Sequence, residues 1–184
     1  SFMMLRSEAE DLQLTKDSAG YYLIATSADL KQFREAVNAG SKDINAKLTA
    51  NIDLEGTSDN QWTPIRSFSG TFDGGGFTIS GLYINEGNSE NKGFIGTLAG
   101  GAEVSGLTIE GTVIGGGTLG GIVGKNNGTV KNCASNCEKV SGSEDYVGGI
   151  VGENNGTVTN CASNCGAVSG IGSFGGVVGG NNTG

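Results

Sequence analysis

The chain has 184 residues, among them 35 glycines, one proline and no histidine. Ordinary glycine usage is about 7%; this excess, without Gly at every third position or abundant proline, excludes collagen, and a 36% hydrophobic share rich in Val and Ile excludes disorder. The net charge of −8 offers no Lys/Arg face for nucleic acid or anionic lipid. No apolar run approaches the roughly 18 residues of a membrane helix, so membrane insertion is not expected.

In chain order, residues 1–20 form a polar segment that is expected to be loosely ordered. Its start, Ser1-Phe2-Met3-Met4-Leu5, lacks the basic and apolar regions of a signal peptide. Tyr21-Tyr22-Leu23-Ile24 reads as a strand. A helix follows, with Leu30, Phe33 and Val37 at i, i+3 and i+7 on one face. Ser27 is placed as its N-cap and Gly40 as its stop. Residues 21–66 are therefore read as an N-terminal cap that closes one end of the repeats filling 67–184. Open ends expose apolar core and unpaired strand edges. The chain breaks off inside a repeat at Asn181-Asn182-Thr183-Gly184, so it reads as a fragment whose export signal or anchor lies outside it.

Gly-apolar-apolar-Gly recurs at Gly93–Gly96, Gly121–Gly124, Gly149–Gly152 and Gly176–Gly179, in steps of 28, 28 and 27 residues. A second signature runs apolar, any residue, Gly or Asn, then Leu or Cys. Its copies are Ile79-Ser80-Gly81-Leu82, Val104-Ser105-Gly106-Leu107, Val130-Lys131-Asn132-Cys133 and Val158-Thr159-Asn160-Cys161. Gly and Asn best accept positive φ, which makes the third position a corner. Leu and Cys share buried character, which points the fourth inward. The same phase sets Phe72 opposite Val123. Periods of this length with short β-rich pieces, near 119–123, 129–133 and 137–141, specify an all-β fold. It is a parallel β-helix, or β-solenoid, of about five coils behind a helix-containing cap, and stacking supplies its core. Leucine is too scarce for leucine-rich repeats, and propeller blades need about 40 residues or more.

Cys133, Cys137, Cys161 and Cys165 repeat a Cys-x3-Cys after 28 residues, and on a solenoid all four are expected at one corner. Three states remain open for these structural cysteines. They are free thiols replacing core Leu, disulfides within or between coils, or a four-thiolate zinc site, for which the spacing is weaker than paired Cys-x2-Cys. Asn127-Gly128-Thr129 and Asn155-Gly156-Thr157 match a glycosylation sequon, but Asn-Gly is foremost a turn former. Without histidine, Ser-His and Cys-His catalysis is excluded. The acids, including Glu86, Glu110, Glu138 and Glu153, form no repeated cluster on one face. Glu144 and Asp145 are read as solvated turn residues, with a calcium site the lesser alternative. No catalytic residue, metal or cofactor is assigned. Tyr83, Tyr146 and Trp62 are read as exposed aromatics on which a sugar can stack, and Tyr83 and Tyr146 are the candidate ligand-binding residues.

The run Gly-Gly-Ile-Val-Gly-x-Asn-x-Gly-Thr-Val-x-Asn-Cys at 120–133 and 148–161, with the lead-in Trp62–Leu82 and the segment Leu48–Leu54, resembles the GLUG-motif repeat of bacterial surface proteins. The resemblance implies a right-handed parallel β-helix in a large secreted or wall-attached protein, extracellular in location and adhesin-like. The implied function is a non-catalytic module, either binding a host glycan or protein or serving as a spacer, and monomeric within its parent. Similar repeats in immunoglobulin-A-cleaving metallopeptidases make an accessory region of a secreted peptidase or carbohydrate-active enzyme the alternative. The second cysteine of each pair, Cys137 and Cys165, departs from the motif.

Overall fold

In the computed structural model, which describes residues 12–144 and 146–183, the alternation of Tyr21–Ile24 sets the first rung of a column. Tyr22 and Ile24 are buried, while Tyr21 and Leu23 turn outward. Asn45–Leu48, Thr71–Asp73, Glu103–Ser105, Thr129–Lys131 and Thr157–Thr159 stack on this strand in one parallel sheet. Its inward column runs Tyr22, Ala46, Phe72, Val104, Val130, Val158. The fold is thus a parallel β-solenoid of about six turns, one more than expected, because Tyr21–Ile24 and Asn45–Leu48 already belong to the first sheet.

Two further faces complete each coil. The second holds Ile52–Asp53, Thr78–Glu86 and Thr108–Gly115, and then pairs of short strands, Ala134–Ser135 with Lys139–Gly142 and Ala162–Ser163 with Ala167–Ser169. The third stacks Ile65–Phe68, Ile95–Leu98, Val123–Asn126, Val151–Asn154 and Val178–Asn181. Short segments, Leu119–Gly120, Val147–Gly148 and Phe174–Gly175, pair in the later coils between the second and third faces. Strands lie near all three expected stretches, and Val123–Asn126 and Ala134–Ser135 add two more per coil.

The Gly-apolar-apolar-Gly copies stack as the sequence indicates, Ile95 on Val123 on Val151 on Val178. All of their glycines but Gly176 are packing requirements. A Cβ on Gly121 would lie 2.3 Å from the Gly149 carbonyl oxygen and 2.5 Å from Ser135 Oγ. The corner positions all take positive φ: 66° at Gly81, 61° at Gly106, 54° at Asn132 and 49° at Asn160. Leu82, Leu107 and Cys133 below them are buried.

The phase of the earliest copy differs from expectation. Phe72 pairs with Val104 on the first face, not with the Val123 column, and Ile79 stacks between Ile52 and Ile109 on the second face. Each early coil turns two similar corners, so Phe72-Asp73-Gly74 repeats the first three positions of the signature that Ile79-Ser80-Gly81-Leu82 completes. Only pairing distinguishes them.

The helix α1 (Ser27–Asn38) takes, in the first turn, the place that a third-face strand fills in later turns. It buries Leu30, Phe33, Ala36 and Val37, and Phe33 meets Phe68 and Phe72 edge-on, with centroids 5.8 and 6.0 Å apart. Its N-cap is Thr26 rather than Ser27. Thr26 Oγ1 accepts the Asp29 amide at 3.1 Å, and Asp29 Oδ2 accepts the Thr26 amide at 3.1 Å. Only a cap three residues before an acid closes this reciprocal box; three residues after Ser27 stands Leu30.

The polar N-terminal segment is ordered where it is described. Lys16 bridges Tyr22 antiparallel, the Leu23 amide donates to the Thr15 carbonyl at 2.8 Å, and Leu12 and Leu14 pack on the core. The expectations for residues 1–11 and for Asp145 in a calcium site fall outside the described residues. Among the described residues, no helix is long and apolar enough to cross a membrane.

Candidate ligand-binding cleft

A cleft of about 530 Å³ opens on the side of the column. It arises where regular stacking stops. The second-face strand of one coil ends at Asp53, while the strand stacked on it runs to Glu86. Residues 54–64 leave the sheet, and Trp62 leads them back. Its amide donates to the Tyr83 carbonyl at 2.8 Å, and its buried indole Nε1 donates to the Phe94 carbonyl at 3.1 Å. One Trp62 face stacks on Phe94, with centroids 5.5 Å apart, and the Arg34 guanidinium lies 4.6 Å from the ring centroid. Trp62 therefore anchors the cleft wall and presents little ring surface to a ligand.

The opposite wall is the turn at 87–91, and a buried ammonium holds it. Lys92 is 2% exposed. Its Nζ donates to the Asn88 carbonyl, to Asn88 Oδ1 at 2.8 Å, and to the carbonyls of Glu90 and Gly116, both at 2.9 Å. Burial lowers the Lys92 pKa, opposed by the nearby carboxylates of Glu90, Glu144 and Glu86. Glu144 ties in a third coil, accepting the Ser89 hydroxyl at 2.7 Å and the Gly117 amide at 3.0 Å. Buried polar atoms this fully partnered hold a rigid arrangement.

Against this fixed frame stand three charged side chains that line the cleft and form no hydrogen bond or ion pair among the described residues. They are Arg66 on one wall and Glu86 and Glu90 on the other. All three are exposed. Opposite charges facing a preformed space, without neutralising each other, are suited to a polar ligand that accepts from Arg66 and donates to the carboxylates.

The two tyrosines singled out from the sequence lie apart from this arrangement. Tyr83 is half-buried on the Thr78–Glu86 strand, packed where a Cβ on Gly56 would lie 2.8 Å from its own Cβ. Tyr146, at φ 58°, lines a shallow neighbouring depression with Thr118, Glu144, Glu153 and Ile171. Ser89 borders both spaces. Arg66, Glu90 and Lys92 were not among the sequence candidates. The repeat step aligns Lys92 with Gly120, whereas the structure bridges it to Leu119, so no sequence signal marked its burial.

The cysteines are free thiols, Cys133 and Cys137 buried, Cys161 and Cys165 half-buried. They form two stacked pairs at two corners rather than one cluster. Cys133 contacts Cys161, and Cys137 contacts Cys165. No group of three or more His, Cys, Asp or Glu positioned for a metal occurs among the described residues, so the geometry disfavours the four-thiolate site. The two corners lie at either end of the short strand Ala134–Ser135, which separates Cys133 from Cys137.

No family model matches the chain. Over 116 residues, 59% of the chain, it is 35% identical to halomucin of Haloquadratum walsbyi (strain DSM 16790 / HBSQ001), and the match spans 1% of that protein. Its fold is similar to the crystal structure of a Bacteroides ovatus protein provisionally assigned as an immunoglobulin A1 protease, with a TM-score of 0.59 and 20% identity. That similarity covers 91% of this chain and 64% of the other, and at this identity it is a likeness of fold.

Proposed function

We propose that this chain is a non-catalytic, GLUG-type solenoid module of a secreted or cell-surface protein, and that it binds a polar ligand in the cleft between residues 61–66 and 86–92. The observation that carries the reading is the unpaired trio Arg66, Glu86 and Glu90 on walls fixed by Trp62 and Lys92. The similarity to halomucin, a protein far longer than this chain, supports a surface or secreted setting and a module within a larger parent. The lack of histidine supports a binding role over nucleophilic catalysis. A host glycan or protein segment, rich in hydroxyl and amide groups, fits the mixed charge of the cleft better than a nucleic acid.

A second reading has its own support. The fold likeness to the Bacteroides ovatus protein favours an accessory region of a secreted peptidase or carbohydrate-active enzyme. Both readings place the same cleft in contact with ligand. The test is binding of the labelled chain to an array of glycans, mucins and matrix proteins at physiological salt, followed by analysis of the array for cleavage. Saturable binding to one class without cleavage is expected; product release would favour an enzyme.

A further inference from the structure

The corner that carries Cys137 and Cys165 is built differently from a hydrophobic stack. Cys137 is 1% exposed, and both residues lie outside the strands, just before Lys139–Gly142 and Ala167–Ser169. They stand at the same position of successive coils, between the Asn164 amide donating to the Ser135 carbonyl at 2.8 Å and the Gly166 amide donating to the Cys137 carbonyl at 2.9 Å. Ser135 Oγ lies 3.2 Å from both sulfurs, and Ser163 Oγ donates to Cys165 Sγ at 3.4 Å. The Ser135 hydroxyl donates to Cys137 Sγ and its contact with Cys165 Sγ runs in either direction, so one hydroxyl bridges the two sulfurs. Cys137 is the more deeply buried of the two thiols.

We propose that Cys137 and Cys165 are a redox-linked pair that closes to a disulfide between successive coils, with Cys165 as the attacking thiol and Cys137 as the resolving one. Adjacent strands lie about 4.8 Å apart, inside the Cα separation that a disulfide bridges, roughly 4.4–6.8 Å. Directly stacked strand residues point their Cβ atoms in parallel, which opposes the required dihedral angle. These two lie between strands, after Ala134–Ser135 and Ala162–Ser163, while the Asn164 and Gly166 amides hold the coils together by donating to the Ser135 and Cys137 carbonyls at 2.8 and 2.9 Å, so closure requires rotation of the two side chains rather than movement of a coil. The oxidant is a small disulfide such as oxidised glutathione. The Cys165 thiolate attacks one of its sulfurs, forms a mixed disulfide and expels one thiolate. Cys137 then gives its proton to a thiolate, attacks Cys165 Sγ and expels the second. Two protein thiols and one small disulfide become one protein disulfide and two small thiols.

The Cys137 thiol, with the Ser135 and Ser163 hydroxyls, holds the Cys165 thiol below the ordinary range against its burial, whereas the thiol pairing and burial raise Cys137. That ordering agrees with the assigned roles, because the thiolate is the nucleophile.

The test is oxidation of the folded chain with oxidised glutathione, followed by alkylation and peptide mapping. A cross-link between Cys137 and Cys165 is expected, whether or not Cys133 and Cys161 also join. In Cys137→Ser, a stable glutathione adduct is expected on Cys165. In Cys165→Ser, no adduct on Cys137 is expected while the protein remains folded by circular dichroism. Bridges within a coil, such as Cys133–Cys137, would overturn the proposal. So would recovery of Cys137 and Cys165 as free thiols, or a Cys137 adduct in folded Cys165→Ser.

Discussion

Asn126 and Asn154, one coil apart in the core, join through their side chains, Asn126 Nδ2 donating to Asn154 Oδ1 at 2.8 Å. The ladder continues from Asn154 to Asn181 at 2.9 Å. Asn126 also closes its own corner, its Oδ1 accepting the Gly128 amide at 3.0 Å and its Nδ2 reaching the Thr157 carbonyl at 3.1 Å. In the coils below, the same inward column holds Phe68 and Leu98, so amide and apolar side chains share one position according to the turn that follows.

Asn126→Ala therefore orphans a buried amide and a carbonyl. The expected loss is of the order of 2 kcal/mol, the cost of buried groups left unpaired. Exposed Asn127→Ala is expected to change stability by less than about 0.5 kcal/mol. Urea unfolding of both variants measures the difference. Equal midpoints would mean that the ladder does not hold the corner.

Gly121→Ala tests the backbone contact at the start of the repeat. The added methyl meets the Gly149 carbonyl and Ser135 Oγ, and overpacking of this kind costs about 1–3 kcal/mol. Gly87→Ala, where nothing lies within 4 Å of the added carbon, is the control and should unfold at the wild-type midpoint.

These contrasts also show what could be read from residues alone. The period, the inward Val column and the positive-φ corners were legible because each is a local preference repeated at fixed spacing. The helical face of Leu30, Phe33 and Val37 was legible for the same reason. The phase of Phe72 and Ile79 was not, since two corners of one coil carry the same local signal and only the hydrogen-bonded register separates them. The cleft was not legible either. It depends on Ile52–Asp53 stopping early beside a turn at 87–91, and on Lys92 spending its charge on oxygens from two coils.

Lys92→Met removes all four of those hydrogen bonds. The expected cost is about 1–3 kcal/mol, with faster amide exchange confined to residues 87–91 and 116–117. Unchanged exchange there would show that the turn is held by other contacts.

The Cys165 thiol, held at about 5 by its hydroxyl and thiol donors, gives a pH signature. An unfolded cysteine ionises near pH 8.5. Between these values the unfolded chain binds a proton that folded Cys165 has shed, so this group's contribution grows as pH rises from 5 and is lost as pH falls through 5. Above pH 8.5 the raised Cys137 thiol acts in the opposite sense. The difference in urea midpoint between wild type and Cys165→Ser, under reducing conditions, should widen from pH 5 to 8. A constant difference would contradict the assignment of the thiolate to Cys165.

The most direct test of the binding account is chemical-shift mapping with the ligand class recovered from the array, comparing wild type with Glu86→Gln/Glu90→Gln. The account predicts perturbed amides confined to residues 61–66 and 86–92 in the wild type, and at least tenfold weaker binding in a double variant that remains folded by circular dichroism. Perturbations elsewhere on the column, or equal affinity of the two proteins, would contradict it.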